Sequence, residues 1–414
     1  MTDSKDCISK ESDLVNRLYQ EMNTNIFIRR FNNGIVYEED QDTHTIRLLS
    51  PDGDVLPESE MKKFAGRWLK SLQIEITDRC NERCVHCYIP NQTKDTGRTL
   101  PKEKVKDLIR QFRDIGGLRL ILSGGETLLY PNLLELLQYG RELDLMLFLH
   151  TNLQILTEKQ AQQLGDLKMF NVQVSLYSNQ SKVHDEVTGR KGSYARTIQG
   201  LELLVKYHVP VTISCPIMKQ NVHSIEGVKA YADSLGVNCY FDDIMMAQHN
   251  GDISNLNVRI SSKNMSKLVE RLIRLRPEYM QAIRESGSEE ELLTKKFARR
   301  MTACDIMSSG MCIDSDGTAY PCAGWNAMKL GNVNTATLQE LWQKGENVDM
   351  LRHTKAMDFP KCTQCNLHNF CDMCPVYNFN ENGDMSVPCI AFCQKALITR
   401  EMVKKIYQEE HKQL

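Results

Sequence analysis

Residues 80–87 read CNERCVHC, which places Cys80, Cys84 and Cys87 at spacings of four and three, with the aromatic His86 just before the last. Iron–sulfur clusters are held by cysteine thiolates, and a cubane cluster normally takes four of them. Three thiolates in one tight loop leave one iron without a protein ligand. An open coordination position separates a catalytic metal site from a structural one, as it does for zinc. A zinc knuckle, or three unrelated thiols, is the alternative that this loop alone leaves standing.

Composition narrows the setting. A chain of 414 residues exceeds the usual size of one core, so two or three domains are expected. Hydrophobic residues make up 41% and charged residues 25%, ordinary for a globular protein. The formal net charge of -2 and a pI near 6.6 provide no basic field for nucleic acid or an anionic membrane. The start, MTDSKDCISKESD, lacks the layout of a signal peptide, and no stretch is apolar enough to span a bilayer. The expected location is therefore cytoplasmic, where thiols stay reduced. Fifteen cysteines in that setting read as metal ligands. Nine of them lie between Cys304 and Cys393, three lie at 80–87, and only Cys7, Cys215 and Cys239 stand apart.

Residues 11–22 have helical spacing, and 25–31, 34–39 and 44–49 read as short strands divided by turns at Asn33-Gly34 and Pro51-Asp52-Gly53. This small β-rich segment (1–66) is expected to pack on the main domain or to serve as a leader-peptide module. From residue 72 the rhythm becomes strand, then helix, repeated. Strands are expected at 72–77, 118–123, 145–151, 170–176, 209–215 and 237–243. Continuous apolar strands alternating with helices predict a parallel sheet buried on both faces. Six such units make an α/β fold, a partial (β/α)6 TIM-like barrel over 67–250, with its chemistry at the C-terminal strand ends. A helical bridge (251–303), broken at Pro277, leads to a cysteine-rich domain (304–393) and a C-terminal helix (394–414) that reads as solvated.

The spacing at 80–87 resembles the signature of the radical S-adenosylmethionine (radical SAM) superfamily. The resemblance implies that the open iron chelates the amino and carboxylate groups of SAM, and that an electron from the cluster releases a 5′-deoxyadenosyl radical. Ser123-Gly124-Gly125-Glu126, about 40 residues on at a strand end, matches the segment that binds the SAM amino group. Its two glycines permit close backbone approach, and the carboxylate can pair with an ammonium. Asn152 and Ser175 end strands three and four, where they could bond the SAM carboxylate or ribose or simply cap turns. Arg190 or Lys191 could reach a carboxylate, and Pro216-Ile217 could stack near adenine. Cys215 and Cys239 are candidates for hydrogen-atom donation at the barrel mouth, against a reading as small core hydrophobes. Asp242 and the adjacent Asp243 end strand six, and Asp242 is the candidate general base.

The second cysteine group resembles the SPASM extension of radical SAM enzymes, which holds two auxiliary [4Fe-4S] clusters. Twelve residues separate Cys304 from Gly317 and four separate Gly317 from Cys322. Cys362, Cys365, Cys371 and Cys374 follow, then Cys389 and Cys393. Where the family usually has three residues between the last two cysteines of the central run, Cys371 and Cys374 have two. Carried over, one cluster takes Cys304, Cys322 and Cys374 with Cys312 as fourth ligand. The other takes Cys362, Cys365, Cys371 and Cys389, with Cys393 spare or exchanging with Cys389. A zinc ribbon is the alternative.

The segment VSLYS followed by HDEVTGRKGSY looks most like peptide maturases. The expected enzyme abstracts a hydrogen atom from a peptide and leaves a thioether, a carbon–carbon crosslink or an epimerised residue. It draws electrons from an external donor such as flavodoxin or ferredoxin. The alternatives are a sulfatase-type maturase forming formylglycine on a small protein, and a non-catalytic iron–sulfur electron carrier or sensor.

Overall fold

The computed structural model describes residues 26–30, 36–40, 46–50, 52–57, 69–298, 307, 309–354 and 358–412. The expected helix at 11–22 lies outside them, as do Cys7 and Cys304.

Six parallel strands follow one another in the sheet in chain order: β4 (Ser71–Thr77), β5 (Arg119–Gly124), β6 (Met146–Thr151), β7 (Asn171–Ser175), β8 (Val211–Pro216) and β9 (Asn238–Asp242). Helices cross between them, including Lys102–Asp114, Leu133–Glu142, Glu158–Asp166, Ser193–Lys206 and Ile225–Ser234. Strand parity decides which side chains meet those helices. Leu72, Ile74 and Ile76, Leu120 and Leu122, Leu147 and Leu149, Val172 and Val174, and Ile213 and Cys215 share one buried apolar core. The alternate positions form the inner face and are mostly polar, with Ile121, Met146 and Phe148 as apolar exceptions. Glu75 is in register with Ser123, His150 with Gln173, Gln173 with Thr212, and Ser175 with Ser214. The strands are therefore not the continuous apolar runs expected: their inner face is largely polar, and Glu75 and Ser123 on it are buried.

The sheet does not end with the barrel. β10 (Gly310–Ile313) lies parallel to β4, and β11 (Thr318–Tyr320) and β12 (Gly331–Asn332) continue antiparallel, giving nine strands. The cysteine-rich segment thus extends the sheet, Gly310–Ile313 pairing directly with Ser71–Ile74. The glycine in its spacing pattern has a local cause. Gly317 turns the β10–β11 hairpin at φ +86°, donating to Asp314 O at 2.9 Å, a conformation that disfavours side chains.

β1 (Ile26–Arg30), β2 (Val36–Asp40) and β3 (Ile46–Leu49) form an antiparallel sheet. Tyr37 and Leu48 bury against Leu118 and Met146, with Phe148 and Phe170 packed around them. This covers the N-terminal strand ends, opposite the cysteine loop. In the bridge, Pro277 starts a helix (Pro277–Glu285) in place of breaking one, since its missing N–H is unpaired at that position anyway. The C-terminal helix, Ile390–His411, is not a solvated tail. It buries Ala396, Thr399, Val403 and Ile406, while helix Ser262–Arg274 buries Met265, Leu268, Val269 and Leu272. Arg274–Glu409 at 2.6 Å and Lys405–Glu270 at 2.9 Å staple the two helices together.

Candidate iron–sulfur and cofactor site

The cysteine loop leaves the C-terminal end of β4. Its backbone is tied down on several sides: Asp78 N to Arg98 O at 2.8 Å, Arg83 N to Thr188 O at 2.9 Å, and Val85 N to Val187 O at 3.0 Å. Asn255 donates from its side chain to His86 O at 3.2 Å. Within this frame Cys80 and Cys87 both stand close enough to Cys84 to raise its thiol pKa. Burial pushes Cys80 up to about 11, and burial, then Glu82 and Cys87, raises Cys84. Uncompensated thiolates are therefore costly here, and a cationic cluster core would relieve that cost. Among the described residues, no three His, Cys, Asp or Glu side chains are grouped to hold a single metal ion. Cluster thiolates stand farther apart than single-ion ligands, because each binds a different iron. The donor set fits a cluster.

The SGGE segment at the end of β5 packs on this loop. A Cβ on Gly124 would lie 2.3 Å from Thr77 O, and one on Gly125 would lie 2.3 Å from Arg79 O. Gly125 N donates to Thr77 O at 2.7 Å and Glu126 N to Arg79 O at 2.8 Å. The two glycines are thus required by approach to the cysteine loop itself. Glu126 is buried, and its carboxylate accepts from Thr151 Oγ1 at 2.6 Å, Asn152 N at 2.7 Å and Leu128 N at 2.9 Å. Burial raises its pKa to about 7 against those donors. Asn152 Nδ2 donates to Asn81 Oδ1 at 2.7 Å, which joins the end of β6 to the loop. Ser175 bonds the Tyr177 hydroxyl, which also lies 3.8 Å from Cys84 Sγ. Ser123 Oγ lies 3.3 Å from His150 Nδ1 on the inner face. Arg190 spends one nitrogen on Asn81 O at 2.7 Å, while Lys191 stays exposed. Ile217 is fully buried and Pro216 half-buried.

Three expectations change. Cys215 does not face the barrel mouth: it points into the helix-side core, 1% exposed, with Sγ 3.7 Å from Tyr177 O. Cys239 has the same parity and lines an outer groove with Leu272, Leu275 and Tyr279. Both therefore lie on the helix side of the sheet, away from the barrel mouth, and burial raises both thiols, Cys239 to about 12. Asp243 is committed to an ion pair, leaving Asp242 as the half-buried carboxylate at the end of β9.

Several site residues carried no sequence signal. Glu82 is buried inside the loop, accepts from Cys84 Sγ at 3.2 Å, and bonds Gln154 Nε2. Arg196 closes that chain on Gln154 Oε1 at 3.2 Å. Tyr88, next to Cys87, donates to Glu75 Oε1 at 3.2 Å and packs on His249, ring centroids 4.5 Å apart. Glu75 is raised to about 8 by burial first and then by Asp314. Its folded pKa lies above its unfolded value, so the native state holds a proton that unfolding releases. Stability is therefore expected to fall as pH rises from the ordinary carboxylate range to about 8, by up to about 1.4 kcal/mol per pH unit. Glu75→Gln should flatten this slope in denaturation midpoints measured at pH 6 and pH 8. An unchanged slope would show that Glu75 does not carry it.

In the cysteine-rich segment the two candidates for the second cluster's fourth ligand have different surroundings. Cys362, Cys365, Cys371 and Cys393 stand near one another: after burial, Cys393 and Cys365 raise the Cys362 thiol, Cys393 and Cys362 raise Cys371, and Cys365 raises Cys393. Cys389 stays out of that group. It precedes helix Ile390–His411 and donates Sγ to Glu381 Oε1 at 3.3 Å, and Glu381 is itself paired with Arg259 at 2.6 Å. Cys312, on β10, is buried and interacts with the exposed Cys322, and Cys374 is buried. Cys393→Ala is accordingly expected to cost about four irons per reconstituted chain. Cys389→Ala should keep them. The reverse pattern in an iron assay would restore the assignment made from spacing.

Comparison with known proteins places these features. The profile of the radical SAM superfamily matches residues 74–232, and that of the SPASM iron–sulfur cluster-binding domain matches residues 304–366. The AdoMet-dependent heme synthase of Methanosarcina barkeri is 27% identical over 75% of this chain and 92% of its own length. The antilisterial bacteriocin subtilosin biosynthesis protein AlbA of Bacillus subtilis is 30% identical over 40% of this chain and 37% of its own. Streptococcus suis SuiB bound to S-adenosylmethionine superposes with a TM-score of 0.63 at 16% identity, covering 88% of this chain and 97% of SuiB. At that identity the likeness establishes the fold. The chain carries a radical SAM domain and, C-terminal to it, a SPASM domain. Its radical SAM domain binds a [4Fe-4S] cluster and SAM, and its SPASM domain binds auxiliary iron–sulfur clusters. Among the described residues no helix is long and apolar enough to cross a membrane.

Proposed function

We propose that this enzyme modifies a genetically encoded peptide, starting with abstraction of a hydrogen atom from a side-chain or α carbon. The observation that carries this reading is the inner face of the sheet. Gln73, Asn171, Gln173, Ser175, Thr212 and Ser214 offer neutral donors and acceptors that suit the amides of an extended peptide. SuiB, alike in fold over nearly its whole length, has also been solved with its precursor peptide SuiA. Cys80, Cys84 and Cys87 would hold the cluster. Glu126, Asn152, Ser123 and Ser175 would line the SAM side, with Gly124 and Gly125 setting the loop. Cluster and SAM supply the 5′-deoxyadenosyl radical when bound there. Asp242, at the open end of β9, would take the proton lost as the substrate is oxidised. The electron would leave through the auxiliary clusters, and a flavodoxin- or ferredoxin-type protein would supply the reducing electron.

A second reading is a tetrapyrrole substrate, favoured by the long match to a heme synthase. Such a substrate carries several carboxylates, whereas the inner strand positions offer one arginine, Arg119, at the N-terminal end of β5 and away from the cysteine loop. The deciding experiment incubates the anaerobically reconstituted enzyme, SAM and a strong reductant with short peptides encoded beside its gene, or with an iron porphyrin carrying propionates. Loss of hydrogen from a peptide by mass spectrometry, with deuterium passing from labelled peptide into 5′-deoxyadenosine, supports the first reading. Porphyrin decarboxylation with inert peptides replaces it. A sulfatase-type maturase would instead convert a Cys or Ser to formylglycine.

A further inference from the structure

Lys94 lies seven residues beyond Cys87, on the short helix Asn91–Thr96. It is 4% exposed. Lysine is almost never this buried unless its charge is paired, because desolvating an isolated ammonium costs several kcal/mol. The partners here are sulfur. The ammonium hydrogen-bonds to Cys87 and interacts with Cys80 and Cys84 as well. The helix ends at Gly97 with φ +63°, where a Cβ would meet the Arg79 side chain at 3.3 Å, so the turn that carries Lys94 is folded back on the start of the cysteine loop.

We propose that Lys94 is a positioning residue for the radical-generating cluster, donating to the Cys87 thiolate and raising the cluster's reduction potential. The inference rests on Cys80, Cys84 and Cys87 being the ligands. Hydrogen bonds to ligand sulfurs and nearby charge are levers on cluster potential. Reduction adds a negative charge to a site already crowded with thiolates. A fixed ammonium in a poorly solvated pocket offsets the added repulsion far more than one in water would. Cleaving a sulfonium demands a strongly reducing cluster, yet that cluster must still accept an electron from its donor. Lys94 sets the balance between the two.

The test uses the full chain, reconstituted anaerobically, as Lys94→Met and Lys94→Arg. Iron is counted, and the EPR signal that SAM perturbs is followed through a reductive titration. Lys94→Met is expected to keep its iron, with the cluster about tenfold less reduced at a given potential, a midpoint about 59 mV more negative. Lys94→Arg should stay near the parent. A Lys94→Met midpoint equal to the parent's overturns the proposal. If Lys94→Met also loses iron, Lys94→Arg decides. Full iron with the parent's midpoint supports the charge, and the same loss as Met refutes it. A Cys80, Cys84 and Cys87 triple variant that keeps all its iron would instead overturn the ligand reading beneath it.

Discussion

Replacing Cys80, Cys84 and Cys87 together with Ala is expected to remove about four irons per chain and to abolish 5′-deoxyadenosine formation, while leaving the fold intact. The fold should survive because the loop is held by backbone contacts to Arg98, Thr188 and Val187 and by Glu126 N on Arg79 O, none of which needs a thiol. Burial keeps the Cys80 and Cys84 thiols neutral in the cluster-free chain, so replacing them removes no buried charge. Iron analysis, anaerobic chromatography of SAM products and a circular dichroism melt would check this together. Iron unchanged in the triple variant would move the SAM-binding cluster elsewhere. Iron lost with 5′-deoxyadenosine still forming would separate SAM cleavage from this loop.

Lys395→Met is expected to destabilise the protein by about 3–5 kcal/mol. Lys395 Nζ sits between Asp243 Oδ1 at 2.7 Å and Asp372 Oδ2 at 3.0 Å, with all three side chains buried or nearly so. Asp243 follows the end of β9, Asp372 lies between Cys371 and Cys374, and Lys395 lies on the C-terminal helix. The triad therefore joins barrel, cysteine run and helix at one point. Removing the cation leaves two buried carboxylates uncompensated. Replacing all three groups with neutral ones, as Lys395→Met with Asp243→Asn and Asp372→Asn, should recover most of the loss, because a fully neutral site carries no unpaired charge. Urea denaturation of the single and triple variants measures both. A single-variant loss under about 1 kcal/mol, the range of an exposed pair, would mean that water reaches the triad.

The chemistry was legible in the sequence because cluster ligands come in short local spacings. Cys80, Cys84 and Cys87 share one loop, and Cys362, Cys365 and Cys371 share one run, so no long-range packing is needed to bring them near. The six strands were legible for a similar reason. Apolar alternation repeats locally, and observed strands fall within one or two residues of those expected.

What the chain left open was direction. Cys389 and Cys393 are equally plausible by spacing, one turn of helix apart. Only the seating of helix Ile390–His411 turns Cys393 toward Cys362 and Cys371 and gives Cys389 to Glu381. Cys215 and Cys239 could be read as mouth donors or as small core hydrophobes until strand register put them on the helix side. The glycines of SGGE looked made for a ligand, and the fold uses them to admit the backbone of residues 77–79. Lys94 and Lys395 resemble any surface lysine in one dimension. The sequence by itself determined the ligand types, their local grouping and the order of strands, since those follow from neighbours along the chain. Tertiary structure alone decided which face each side chain takes and which charges are buried together, because those depend on residues far apart in the chain, as Lys395 and Asp243 are at 152 positions.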